Sequence, residues 1–143
     1  MRIVLDTNVL ISALVSAQSA PAHILARCYA GELDLLLSPE GLAELRRVLT
    51  YPRIRKRLHY RDDQLEGFVA FLEQTATVLT PSVQVRVVSD DEDDDHFIAL
   101  ALAGQALYLI TGDDHLLRIG HYRGVTILKP AAFWRVWQTL KRD

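Results

Sequence analysis

Ile3-Val4-Leu5-Asp6-Thr7-Asn8 sets a short apolar run directly against three polar residues of the kind that start helices. It reads as a buried strand followed at once by a helix, which Val9, Leu10, Ala13, Leu14 and Val15 continue. Similar units recur along the chain. Pro21 opens a second helix reaching about Ala30, with Gly31 at its end. Leu35-Leu36-Leu37 is the next strand, and Ser38-Pro39 supplies an N-cap and first-turn proline for a helix with Leu42, Leu45 and Leu49 on its apolar face, ended by Pro52. A short helix or turn is expected over 53–61. Asp62-Asp63 begins a helix that turns Leu65, Phe68, Val69 and Leu72 to one side. Val78-Leu79 is a weak strand, and 85–88 is an ambiguous extended run. A helix from Phe97 ends at Gly104, strands follow at 107–110 and 125–128, and Pro130 opens a last helix carrying Phe133, Trp134 and Trp137. Strands that are continuous apolar runs, alternating with helices, indicate a parallel sheet covered on both faces. The expected fold is a three-layer α/β arrangement of about five strands, with residues 1–143 as one domain.

Composition narrows the functional classes. Half the residues are hydrophobic and 24% are charged, ordinary values for a soluble globular protein. No apolar stretch has the length of a membrane span, and the N-terminal apolar run is too short for a signal peptide, so a cytoplasmic protein with no membrane role is expected. The single Cys28 excludes an internal disulfide or a thiolate metal cluster and suits a core position.

The net charge of −2 hides two opposed blocks. Six of the 18 acids form one run, Asp90-Asp91-Glu92-Asp93-Asp94-Asp95, which leads into the Phe97 helix. Such a run suits a solvated loop at a helix N-terminus, or a cation site if other carboxylates converge on it. Seven of the 16 basic residues lie at Arg46, Arg47, Arg53, Arg55, Lys56, Arg57 and Arg61, either solubilising surface or a contact for a polyanion.

Other carboxylates do stand in suggestive places. Asp6 and Asp113 each follow an apolar strand, and ligands of open α/β sheets bind outside the carboxyl ends of strands where the strand order reverses. If those two strands are neighbours there, Asp6 and Asp113 share a crevice. Asp95 begins a helix that precedes its strand, so it reaches the crevice only if that helix end packs across the top of the sheet. Glu44 lies off the apolar face of its helix. Each acid also has a plainer role: Asp6 and Asp113 as N-caps, Glu44 as a surface partner of Arg47. Carboxylates crowded into one crevice are unfavourable unless protonated or bound to a cation. An all-oxygen set favours Mg²⁺ or Mn²⁺, which points to metal-dependent phosphoryl transfer.

Four segments together resemble the PIN-domain ribonucleases: Ile3-Val4-Leu5-Asp6-Thr7-Asn8-Val9-Leu10; Leu37-Ser38-Pro39 with Glu44-Leu45; Asp93-Asp94-Asp95-His96-Phe97 with Ala99-Leu100-Ala101; and Ile110-Thr111-Gly112-Asp113. The similarity covers essentially the whole chain and is greatest to the toxins of bacterial and archaeal toxin–antitoxin pairs. It implies a PIN-like fold cleaving RNA with one or two Mg²⁺ or Mn²⁺ ions, and a cognate antitoxin protein as partner. By the same resemblance Asp6, Glu44, Asp95 and Asp113 are the acidic set. Asp6 and Asp95 are direct ligands, while Asp113 and Glu44 bind a second ion or orient its water. Asn8 and Thr111 support the site by hydrogen bonding. Relatives usually carry a second Asp where this chain has His115, with Asp114 beside it, which leaves open whether one metal or two is held. His96 is read as a polar residue where relatives often have Lys. Dimers are common among relatives, so a homodimer is an expectation.

Two other readings compete. A haloacid-dehalogenase-like phosphatase also places an Asp after its first strand, but needs a second Asp where Asn8 stands. A non-catalytic PIN scaffold would bind RNA or a protein without cutting.

Overall fold

Three apolar runs become the central strands, and polar residues behind them become helix caps. The structure, a computed structural model, describes residues 1–82 and 95–142, with Asp95 described by its backbone alone. The extended run expected over 85–88 and the acids Asp90, Asp91, Glu92, Asp93 and Asp94 lie outside those residues. The chain runs β1 (Arg2–Leu5), α1 (Thr7–Val15), α2 (Ala20–Tyr29), β2 (Asp34–Leu37), α3 (Pro39–Val48), α4 (Pro52–Arg55), α5 (Asp62–Thr75) and β3 (Thr77–Val78). It continues through α6 (Asp95–Ala103), β4 (Tyr108–Ile110), α7 (Asp114–Ile119), β5 (His121–Tyr122), β6 (Val125–Leu128) and α8 (Pro130–Arg142). No single helix among the described residues is long and apolar enough to cross a membrane.

The strands form one sheet in the order β3-β2-β1-β4-β6-β5, parallel except for the β5–β6 pair. The expected five parallel strands are all present. The sixth, β5, joins β6 through a tight turn in which Arg123 (φ 46°) and Gly124 (φ 90°) both take the left-handed conformation that suits a two-residue hairpin. Two local expectations shift. Leu107 precedes its strand and is 51% exposed, and Pro52, expected only to end α3, opens the short α4.

Side-chain alternation divides the core into two layers. Ile3, Leu5, Leu35, Leu37 and Ile110 face α1, α2, α3, α5 and α8. Val4, Leu36, Leu109, Val125 and Ile127 face α6 and α7. Because both faces are covered, the strands are apolar throughout, which is the pattern the sequence carries. α6 is buried along most of its length, at Phe97, Ile98, Ala99, Leu100 and Ala101, and its small residues allow close approach to the sheet.

Gly104 ends that approach. A Cβ there would stand 2.3 Å from Cδ1 of Leu36, itself only 1% exposed. Gly104→Ala is therefore expected to overpack the interface and destabilise the fold by about 1–3 kcal/mol, measurable by denaturant unfolding. An unchanged midpoint would mean that Leu36 has room to turn aside.

Candidate active site

The order of the strands reverses between β1 and β4, and that is where the sequence places its acids. Leu5 pairs with Ile110, so one residue further on Asp6 stands beside Thr111. The Asp6 backbone N–H donates to Ile110 O at 3.2 Å, which holds the two chain ends together. Asp6 is only 4% exposed. Its Oδ1 accepts the Val9 N–H at 2.9 Å, capping α1, and its Oδ2 accepts the hydroxyl of the fully buried Thr111. Thr111 in turn accepts the backbone N–H of Asp113 at 3.0 Å. Asp113 Oδ1 takes the N–H groups of His115 (2.8 Å) and Leu116 (3.3 Å), so it caps α7.

Glu44 enters from α3. Its Oε2 accepts the hydroxyl of Thr7 at 2.8 Å and lies 3.5 Å from Nε2 of His96. The contact with His96 places the first turn of α6 at the crevice. The chain direction agrees: α6 leads into β4, which runs parallel to β1, so the end of α6 farther from β4 lies at the carboxyl edge of the sheet. The first turn of α6, with the Asp95 backbone, therefore lies at that edge.

Electrostatically Asp113 and Glu44 both act on Asp6. Burial pushes the Asp6 carboxyl from its ordinary 3.8 up to about 6. Hydrogen bonds from Thr111 and Val9 oppose that rise, while the charges of Asp113 and Glu44 add to it. The charges of described residues that act on Asp6 are thus both negative. Among the described residues no three His, Cys, Asp or Glu side chains are grouped to hold a metal ion. The donor chemistry nevertheless fits a hard cation, since Asp6, Glu44 and Asp113 offer only carboxylate oxygens and the charges of Asp113 and Glu44 act against that of Asp6. Each oxygen of Asp6 accepts one hydrogen bond, leaving one lone-pair site on each.

The remaining expected residues are placed as follows. Asn8 is exposed on the first turn of α1, Asp114 is exposed at the start of α7, and His115 is half-buried beside it. Part of the basic block is neutralised by folding. Arg46 pairs with Glu73 at 3.2 Å, Arg55 with Asp62, and Arg61 with Asp63 at 3.1 Å. Arg47, Arg53, Lys56 and Arg57 are exposed on α3, α4 and the turn beyond, without an ion pair to a described residue. Cys28 is buried as expected, and burial pushes its thiol up to about 12. Sequence reasoning missed Thr7 and undervalued His96. The signal available for Thr7 was a hydroxyl residue on the inner side of the first turn after a strand-end Asp.

The family described as PIN domain matches residues 2–115, a span that contains Asp6, Glu44, Asp95 and Asp113. The chain belongs to the PIN domain family. "Uncharacterized protein MJ1680" of Methanocaldococcus jannaschii is 32% identical over 119 residues, covering 83% of this PIN domain chain and 75% of that protein. The crystal structure of PAE2754 from Pyrobaculum aerophilum superposes with a TM-score of 0.61 at 17% identity, over 97% of this chain and 90% of that one. It shares the fold. Membership points to a nuclease-like function in general, and divalent ions are often used by PIN domains. It also sets aside the phosphatase alternative, since the resemblance read from the four segments is the family found.

Proposed function

We propose that this PIN domain is a metal-dependent endoribonuclease that uses Mg²⁺ or Mn²⁺ at Asp6, Glu44, Asp95 and Asp113, and that it is the toxin of a toxin–antitoxin pair. One observation carries the catalytic reading: Asp6 is buried at the strand-order switch, and the charges of described residues that act on it, Asp113 and Glu44, are both negative. A structural cap has no need of that arrangement, whereas a cation site does. Asp6 and Asp95 are the proposed ligands, Asp113 and Glu44 the flanking acids. A bound ion would supply Lewis acidity toward a phosphodiester oxygen and lower the pKa of water at the site. Thr111 holds the Asp6 carboxylate in one orientation and ties it to the Asp113 backbone. Asn8, Asp114 and His115 border the crevice as polar supports. Arg47, Arg53, Lys56 and Arg57, together with Arg46 and Arg55 at their ion pairs, offer the RNA backbone a positive track. The toxin role and the antitoxin partner rest on the family.

The test is cleavage of a mixed RNA pool by the purified protein. Chelation with EDTA is expected to abolish cutting, and Mn²⁺ or Mg²⁺ to restore it. Equal cleavage in EDTA would remove the metal mechanism. RNA binding with no cutting under any divalent ion would favour the non-catalytic scaffold.

A further inference from the structure

We infer that Thr7 and His96 form a clamp on the Glu44 carboxylate, which makes both of them positioning residues for the reaction proposed above. The inference rests on that reading for its catalytic meaning, but the clamp itself is a matter of geometry. A single oxygen, Oε2 of Glu44, meets Thr7 Oγ1 at 2.8 Å and His96 Nε2 at 3.5 Å. Thr7 belongs to α1 and Glu44 to α3, on one face of the sheet, while His96 belongs to α6 on the other. The two helical layers therefore meet on this one atom, over the carboxyl ends of the strands.

The state of His96 argues that its nitrogen matters. Its side chain is 15% exposed, and its ring lies 4.0 Å from that of Phe97, centroid to centroid. Nδ1 is buried with no hydrogen-bond partner among the described residues. A buried, unpartnered ring nitrogen costs the fold free energy that a phenyl ring in the same space would not. The imidazole is then explained by its other nitrogen, which lies 3.5 Å from the Glu44 carboxylate, a polar contact that a phenyl ring could not make.

Glutamate is a flexible side chain, and fixing it costs conformational entropy that one hydrogen bond barely offsets. Two contacts on one oxygen restrain the rotamer and leave Oε1, which accepts no hydrogen bond from a described residue, available to the crevice. Orientation of this kind acts on the rate, because reacting groups misplaced by about 1 Å lose roughly 10²-fold.

The test compares His96→Phe, which keeps the ring and loses the nitrogen, with His96→Gln, which restores a polar nitrogen. Thr7→Val removes the hydroxyl donor at nearly constant shape. Glu44 is read directly in crystal structures of the metal-free proteins, Mn²⁺ affinity by calorimetry, and kcat and KM on RNA. His96→Phe is expected to disorder Glu44, weaken Mn²⁺ binding roughly tenfold and lower kcat roughly tenfold with KM little changed. His96→Gln should recover most of each loss. Placed on Glu44→Ala, His96→Phe should have no further effect, because it acts through Glu44. A single ordered Glu44 rotamer in His96→Phe, or effects that add in full to those of Glu44→Ala, would overturn the clamp. If His96→Phe fails to fold, Thr7→Val must release Glu44 by itself, and an unchanged rotamer there overturns it equally. Wild-type protein that neither binds Mn²⁺ nor cuts RNA would defeat the proposed function instead, while the Glu44 rotamer in the metal-free crystals still decides the clamp.

Discussion

Asp6→Asn is expected to lower RNA cleavage by roughly 10³-fold or more, equivalent to about 4 kcal/mol of transition-state stabilisation, and at the same time to make the metal-free protein more stable at pH 7. The two effects have one cause. Asparagine keeps the carbonyl oxygen that accepts the Val9 N–H, so the cap of α1 survives. Its amide can donate to Thr111, whose hydroxyl has one lone pair left beside the Asp113 N–H it accepts and turns to suit. What is lost is the negative charge, which burial, Asp113 and Glu44 all disfavour in the absence of a cation. Removing it should stabilise the folded chain by up to about 3 kcal/mol. Chemical denaturation without divalent ions reads the stability, and RNA cleavage with Mn²⁺ reads the activity. A variant that keeps more than a tenth of wild-type cleavage would show that Asp6 serves only as a cap.

The second large effect is on how stability depends on pH. The Asp6 carboxyl titrates near 6 in the fold, against an ordinary value of 3.8. Between those two values the folded chain holds a proton that the unfolded chain has released. Stability from this group is therefore complete below about pH 3.8, declines as pH rises, and is lost above about 6. The span is worth about 3 kcal/mol, or about 2–4 °C in Tm for each kcal/mol in a chain of this size. Saturating Mn²⁺ or Mg²⁺ should reverse the loss, contributing about 2.7 kcal/mol at a hundredfold excess over Kd. Thermal melts from pH 4.5 to 7.5, with and without the ion, measure both. Other carboxylates titrate over the lower part of this range, so the decisive comparison is with Asp6→Asn, whose profile should lack the decline. Identical profiles for the two proteins would contradict the raised carboxyl.

The central strands and the capped helices were legible because they rest on local chemistry. Ile3-Val4-Leu5 and Leu35-Leu36-Leu37 are apolar on both faces, and Ser38-Pro39 reads as a helix start wherever it stands. Asp6 was visible for the same reason, but its two roles were weighed as alternatives. A carboxylate has two oxygens, and here one caps α1 while the other meets Thr111 from the neighbouring strand. Asp95's helix was harder to place, because it precedes its strand, and β3, the nearest described strand before it, is only two residues long with both of them exposed. With that strand faint, the crossover that puts the N-terminus of α6 at the crevice is difficult to see. Thr7 was missed because its partner lies 37 residues away, and no local pattern marks a hydroxyl that will meet a carboxylate from another helix.

The outermost strands of the described sheet carry a consequence for how this molecule meets others. Thr77–Val78 and His121–Tyr122 are each two residues long. An edge that short gives an incoming strand almost no ladder to extend, which guards against edge-to-edge aggregation and leaves little scope for strand addition. A protein that binds here must recognise side chains on helices and loops, so its specificity is written in helix surfaces and not in backbone pairing.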